Sequence, residues 1–406
     1  MIWSVSWRNI WRSKTRSLVI ITAIALGVFA GVYTIAFMIG WVNQRINGVI
    51  NTEVSHLQIH QADYLETNEV HCYIPNIGEI RDNIANNEGV KAVSSRLIAS
   101  CMISSAETSS GILLTGINPK CERETSNVHT KIIKGKYFEG VKRNPIIIGE
   151  KLAQKLKVKV RSKLVITVTE MDGTISGGAF RVAGIFKTAN SAFDEAKAFV
   201  RISDLQKLLN IEDNVGHEIA ILMNKNGGEN IIAQKLRRQY PKLNIMTWEE
   251  LLPDIKMLNE STDFSLYIYV VIILLSLGFG IVNTMLMVIL ERVKEFGMLM
   301  AIGMSKIRVF TMVVLETVFL SFVGGCVGIV LALGLIALTG KIGLDLSLWA
   351  EGLNSLGFEA IIYPEIGTVP VVVVTVLVII TGILSAIYPA RKAIKLNPAE
   401  ALRMDT

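Results

Sequence analysis

The sequence predicts an α-helical membrane protein with four transmembrane helices and a large α+β extracytoplasmic domain, itself two βαβ-like halves with a β-rich insertion. Three observations carry this. Hydrophobic residues fill 51% of the 406 positions and charged ones 19%, which excludes a disordered chain, a coiled coil and a purely soluble enzyme. Four stretches stay apolar over the ~20 residues that a bilayer demands. About half of the chain forms one further block with strand and turn signals, large enough for a core of its own.

Residues 1–17 place Trp3, Trp7 and Trp11 at intervals of four, with Ile10 beside them and Arg8, Arg12, Lys14 and Arg16 on the other face. This spacing predicts an amphipathic helix in the cytoplasmic headgroup layer, its tryptophans at the membrane interface. The first span, 18–42, is too long for a signal-peptide core and has no A-x-A cleavage site at its outer end, so it is read as a retained anchor. Segment 43–263 is the extracytoplasmic, periplasmic domain. Strands are expected at Val54–His60, Val90–Leu97, Gly111–Ile117, Pro145–Ile148, Leu164–Thr169, Phe180–Phe186, His217–Met223 and Leu243–Thr247. Helices are expected at Glu79–Asn87, Glu150–Leu156, Glu229–Gln239 and Trp248–Asp263, and Asp172-Gly173 signals a hairpin.

Span two covers 264–290, a cytoplasmic connection 291–308, span three 309–340, an outer loop 341–365, span four 366–390 and a cytoplasmic tail 391–406. The segments assigned to the cytoplasm hold 12 basic and 4 acidic residues, whereas the outer loop has Lys341 against Asp345, Glu351, Glu359 and Glu365. The positive-inside rule therefore puts both termini in the cytoplasm. The net charge of +6 is an orientation signal and no nucleic-acid footprint. Glu316 is the only ionisable residue inside a span. Two readings fit it: an intramembrane ion pair with a basic residue of the connection or a neighbouring helix, or a snorkelling carboxylate. Gly27 with Gly31, and Gly324, Gly325 and Gly328, allow close helix contact, and packing within the chain or between two copies accounts for them equally.

No phosphate loop, H-E-x-x-H, C-x-x-C pair or G-x-S-x-G elbow occurs. His56 and His60, four apart on a strand, share a face, with His71 beside Cys72 nearby; zinc usually takes three or four ligands, so surface histidines without a metal are expected. Cys72, Cys101 and Cys121 lie in the outer domain, where one bridge plus a free thiol, or no bridge, both fit.

Two stretches carry a resemblance. Glu291-Arg292-Val293-Lys294-Glu295-Phe296-Gly297-Met298-Leu299-Met300-Ala301-Ile302-Gly303-Met304-Ser305 resembles the E-R-x-x-E-I-G-x-L-x-A-x-G-A-S stretch of FtsX/MacB-type ABC permeases. Tyr388-Pro389-Ala390-Arg391-Lys392-Ala393-Ile394, continuing through Pro398, Glu400, Ala401, Leu402 and Arg403, is similar to that family's Y-P-A-R-R-A-A-x-x-x-P-x-E-A-L-R ending. The resemblance implies a non-catalytic mechanotransmission permease that works as a dimer, identical or paralogous, in the bacterial inner membrane. It implies a separate ATP-binding ABC subunit, which holds ATP and Mg, and no cofactor in this chain. Glu291, Arg292, Glu295, Phe296, Gly297, Met298, Ala301 and Gly303 inherit the role of the coupling helix that docks on that ATPase.

Ile146–Ala153, Phe180–Phe186, Phe193-Asp194 and Asp204-Leu205-Gln206 resemble the lipoprotein-releasing LolC/LolE permeases more than MacB. That implies a lipoprotein substrate extracted from the membrane. The hook that recruits a periplasmic chaperone in LolC-type permeases corresponds to 171–179, with Asp172, Gly173 and Ile175, although this stretch is short and lacks the expected proline. MacB-like efflux of periplasmic peptides or drugs and a signalling module that regulates a cell-wall hydrolase are the other readings.

Overall fold

The computed structural model describes residues 2–12, 14–224 and 227–394. The end of the tail motif, from residue 395, lies outside them. In chain order the structure begins with α1 (Ile2–Arg12), α2 (Lys14–Val49), a π-helical turn (Ile50–Val54) and β1 (Leu57–Gln61). Next come α3 (Tyr64–Thr67), α4 (Ile77–Ala85), β2 (Val90–Ser104), β3 (Ser109–Ile117), α5 (Pro119–Thr125) and β4 (Ile132–Gly135). Then follow β5 (Pro145–Gly149), α6 (Glu150–Lys155), β6 (Lys163–Thr169), β7 (Ile175–Phe186), α7 (Ser191–Ala196), β8 (Lys197–Arg201) and α8 (Ile202–Leu209). The block closes with β9 (Glu218–Met223), α9 (Glu229–Gln239), β10 (Leu243–Thr247) and α10 (Trp248–Leu251). After it come α11 (Pro253–Glu291), α12 (Val293–Ala301) and α13 (Lys306–Ile342). Last are β11 (Leu344–Asp345), α14 (Ala350–Ser355), β12 (Ile361–Ile362) and α15 (Thr368–Ile394).

Two compact units result, one helical (the described residues of 2–42, 259–345 and 361–394) and one α/β (the described residues of 43–258 and 346–360). Four helices are long and apolar enough to cross a membrane: Ser17–Val54, Pro253–Glu291, Lys306–Ile342 and Thr368–Ile394. Each outruns the apolar stretch inside it, because polar ends continue the helix once the apolar part has formed. In the helical unit the glycines are consumed by packing within the chain. A Cβ on Gly324 would come 2.9 Å from Ile24 Cβ, and one on Gly328 2.5 Å from the Ala25 carbonyl oxygen, so α13 and α2 touch backbone to backbone. Gly27 and Gly31 face Leu277 and Ile273 of α11 at 3.4 and 3.2 Å.

In the α/β unit the two βαβ halves interleave. β1, α4 and β2 form one and β9, α9 and β10 the other, and the strand order β10-β1-β9-β2 makes each half straddle a strand of its counterpart. The insertion closes on itself. β2 pairs β3, β3 pairs β8, β8 pairs β5, β5 pairs β7, β7 pairs β6, and β6 returns to β2. Six strands thus form a barrel, with β4 added along β7. Alternate residues such as Leu97, Leu114, Ile148, Ile166, Val182 and Val200 join one buried cluster with α6 and α8. Full closure leaves these six strands no free edge between them.

Some boundaries differ from the sequence reading. β2 runs on to Ser104, because Ala99, Cys101 and Ile103 keep facing the barrel interior. β1 starts only at Leu57, since Ser55 takes φ +63° and turns the chain there. The helix expected over 248–263 breaks at Leu252: Thr247 and Glu250 cap α10 as a capping box, and Pro253, without an N–H, opens a new helix. All four cysteines are free. His60 spends both ring nitrogens on internal bonds, Nδ1 with His217 O at 3.0 Å and Nε2 with Gln58 Oε1 at 2.9 Å.

Candidate functional site

The residues of the family motif sit on α12 and its flanks, at one end of the helical unit. Arg292 interrupts the helix between α11 and α12 with a non-helical backbone, which lets its side chain turn inward. Its Nη1 donates to both carboxylate oxygens of Glu316 on α13, at 3.0 and 3.1 Å, and its Nε donates to Glu295 at 2.8 Å. The guanidinium lies 5.1 Å from the centre of the Phe296 ring. Asn9 of α1 donates to Glu316 at 3.5 Å, and Arg12 of α1 pairs with Glu295.

Glu316 is therefore ion-paired, with Arg292 as partner. Both side chains are nearly buried, so neither charge stands alone in an apolar setting. Partial burial alone would raise the Glu295 pKa, but the hydrogen bonds and charges of Arg292 and Arg12 hold it below the usual carboxylate range. The chain Arg12–Glu295–Arg292–Glu316–Asn9 ties α1, α12 and α13 into one block.

The motif residues divide by face. Phe296 is 1% exposed and belongs to the bundle core, and Gly297 is buried beside it. Phe296 is turned inward because the nine-residue helix buries its Val293/Phe296/Gly297 side. Met298 is 53% and Ile302 80% exposed, and Glu291, Ala301 and Gly303 are also on the outside. Gly303 takes φ +99°, which ends α12 in a turn that favours glycine. Ile302 and Asn9 had no signal of their own in the sequence analysis, and Arg12 stood there only on the basic face of the N-terminal helix. An apolar residue at the exposed C-terminal end of a charged helix is the clue that points to Ile302.

The tryptophans occupy one side of α1. Ser6 and Ile10 are buried, and Ser6 Oγ donates to Met312 O at 3.4 Å. Trp3 and Trp7 meet Phe319 of α13 edge-on at 5.6 and 5.5 Å, yet all three tryptophans stay exposed. The hairpin residues stand elsewhere, at the tip of β6 and β7 on the barrel. Asp172 Oδ1 accepts from Thr174 N and Oγ1 at 2.9 and 2.7 Å, which lowers its pKa, Gly173 takes φ +85°, and Ile175 is 77% exposed. Among the described residues no group of three or more His, Cys, Asp or Glu side chains is placed to hold a metal.

Comparison with known proteins agrees with this division. The MacB-like periplasmic core domain matches residues 17–238, more than half of the chain, and the FtsX-like permease C-terminal domain matches 267–398. The chain belongs to the FtsX/MacB-type ABC permease family. An uncharacterized ABC transporter permease of Methanocaldococcus jannaschii is 30% identical to this permease over 55% of each chain. The lipoprotein-releasing system transmembrane protein LolC of Haemophilus influenzae is 24% identical over 64% of each chain, and that of Neisseria meningitidis 23% over 79% of this chain and 80% of its own. The matches thus span less than two thirds of the Methanocaldococcus and Haemophilus proteins. The macrolide export protein MacB of Agrobacterium fabrum is 34% identical over 32% of this permease and 17% of its own length. Among solved structures, the periplasmic region of MacB from Actinobacillus actinomycetemcomitans aligns with 53% of this chain and 97% of its own, at 12% identity and a TM-score of 0.37.

Proposed function

We propose that this permease is the non-catalytic membrane subunit of an ABC transporter. A separate ATPase docks on α12, and its ATP-driven motion passes through the helical unit to the α/β unit, which extracts lipoproteins from the membrane. The observation that carries the docking is the two-sidedness of α12: one side is locked to α13 through Arg292 and Glu316, while Met298, Ala301 and Ile302 stand free on the other. Exposed apolar residues on a short rigid helix are what a groove on a partner can bury. ATP and Mg would belong to the partner. The excess of basic residues flanking the spans supports an inner-membrane chain with both termini and α12 on the cytoplasmic side and the α/β unit periplasmic. The tryptophans of α1 then serve at the cytoplasmic headgroup layer.

Similarity to two LolC proteins supports lipoprotein as the substrate. In this reading the exposed tip at Asp172, Gly173 and Ile175 is the place for a periplasmic chaperone. Efflux is the second reading, favoured by the MacB-like match over 17–238. Reconstitution of the chain with its ATPase decides between them: an ATP-dependent lipoprotein crosslink to the α/β unit supports extraction. No lipoprotein crosslink alongside intact export of peptides or drugs overturns it in favour of efflux. For the docking, Met298→Glu with Ile302→Glu should abolish co-purification of the ATPase while leaving the chain folded; unchanged co-purification refutes the docking face.

A further inference from the structure

The connection between α13 and α15 divides. Residues 343–345 and 361–362 stay with the helical unit, where β11 pairs β12, but Leu346–Ala360 belongs to the α/β unit. Its attachment there is specific. The Glu359 carboxylate accepts from Lys131 Nζ at 3.1 Å through one oxygen and from Gln44 Nε2 at 3.0 Å through the other. Two residues earlier, Gly357 takes φ +81°, and a Cβ there would fall 2.5 Å from Arg45 Cζ. The Arg45 guanidinium fills the space that any side chain at 357 would need.

Arg45 is itself held. Its Nη1 pairs with Glu53 at 3.1 Å, and Asn190 Nδ2 donates to both oxygens of the same carboxylate at 3.1 Å. The Arg45 side chain is 9% exposed, and its Nε is buried with no hydrogen-bond partner among the described residues. Burying this N–H without a partner is costly, and the ion pair with Glu53 offsets only the charge. The carboxylates of Glu53 and Glu359 thus gather the end of α2, the turn after it, the 128–131 turn, the 188–190 loop and the strap at one point.

We infer that residues 346–360 are a strap that gives α13 and α15 their own hold on the α/β unit, with Arg45, Lys131, Gly357 and Glu359 as positioning residues for transmission. α2 and α11 lead into the α/β unit along the chain, and between α13 and α15 the chain does so through this strap. The helix that carries Glu316, and with it the grip on α12, therefore acts on the α/β unit through Glu359. This rests on the transmission reading above.

The test uses the full chain bound to its ATPase and reads amide hydrogen exchange across the α/β unit, with and without ATP trapped by vanadate. Lys131→Ala with Glu359→Ala should reduce the ATP-dependent exchange difference at least ~3-fold without changing exchange in the absence of nucleotide. The swap Lys131→Glu with Glu359→Lys should restore it, which mere loss of packing would not predict. Gly357→Val should mimic the double alanine variant. A double alanine variant that responds to ATP as wild type does overturns the strap alone. A wild-type complex with no ATP-dependent change in the α/β unit overturns the transmission reading and the strap together.

Discussion

Arg292→Met strips Glu316 of its cation and leaves the carboxylate, nearly buried on α13, with the Asn9 amide at 3.5 Å as its remaining side-chain hydrogen bond among the described residues. Removing one member of a buried pair costs about 3–5 kcal/mol, chiefly because the remaining charge stays desolvated and uncompensated. Glu316→Gln should cost less, on the order of 1–3 kcal/mol, since Arg292 keeps Glu295 at 2.8 Å. The double change Arg292→Met with Glu316→Leu removes both charges and should recover most of the loss, since an apolar pair of similar volume is often as stable. The assay is thermal inactivation of the purified full chain in detergent, followed by loss of the monodisperse species and reported as a half-life because such unfolding is seldom reversible. At a fixed temperature Arg292→Met should shorten the half-life by at least ~10-fold and the double variant by only a few-fold. Two results would refute the reasoning: Arg292→Met as stable as wild type, or a double variant whose loss equals the sum of Arg292→Met and Glu316→Leu made singly.

Three further outcomes are expected. Gly328→Ala should cost about 1–3 kcal/mol by forcing α13 away from the Ala25 carbonyl, whereas Gly334→Ala, with nothing within 4 Å, should be neutral or stabilising in the same thermal assay. Burial pushes the pKa of Asp194 up to about 6 against the hydrogen bonds from Thr188 that lower it. The folded state then holds this proton more tightly than the unfolded chain, so the stability of the α/β unit should fall by on the order of 2 kcal/mol as pH rises from ~4 to ~6. Urea titrations across that range should show the slope, and Asp194→Asn should flatten it. Arg96, buried between Glu122 (2.6 Å) and Glu218 (2.6 Å), should tolerate no neutral replacement: Arg96→Met leaves two buried carboxylates and should prevent the α/β unit from resisting limited proteolysis.

What the sequence made legible follows from how local each signal is. α9 and β10 were readable to the residue, because an amphipathic period between two turns needs no distant partner. β8 was not: Lys197–Arg201 is a five-residue run directly after α7, too short for period to separate strand from helix. The closure of the barrel was equally hidden, since it depends on β6 finding β2 more than sixty residues back in the chain. At the site, an isolated carboxylate in an apolar span announced itself through its desolvation cost, but its partner could have come from several basic residues. The contributions of Asn9 and Arg12 are set by the crossing of α1 over α13, which no local pattern encodes. Which side of α12 faces inward is likewise a packing outcome: it buries Phe296 and leaves Met298 and Ile302 exposed.

The pairing of β1 with β10 has a mechanical consequence. Leu57 faces Thr247 across the ladder, and Trp248 N–H donates to His56 O at 3.0 Å, so the long segment 43–258 begins and ends its sheet at one corner. A pull that drew these two ends apart would load the ladder one hydrogen bond at a time, as in opening a zip, and each bond resists with only about 1 kcal/mol. A displacement shared by both ends loads none of them. The corner is therefore stiff to common motion and weak to divergence, and a stroke delivered there can shift the α/β unit bodily but cannot pry it open without first unpicking its edge strand.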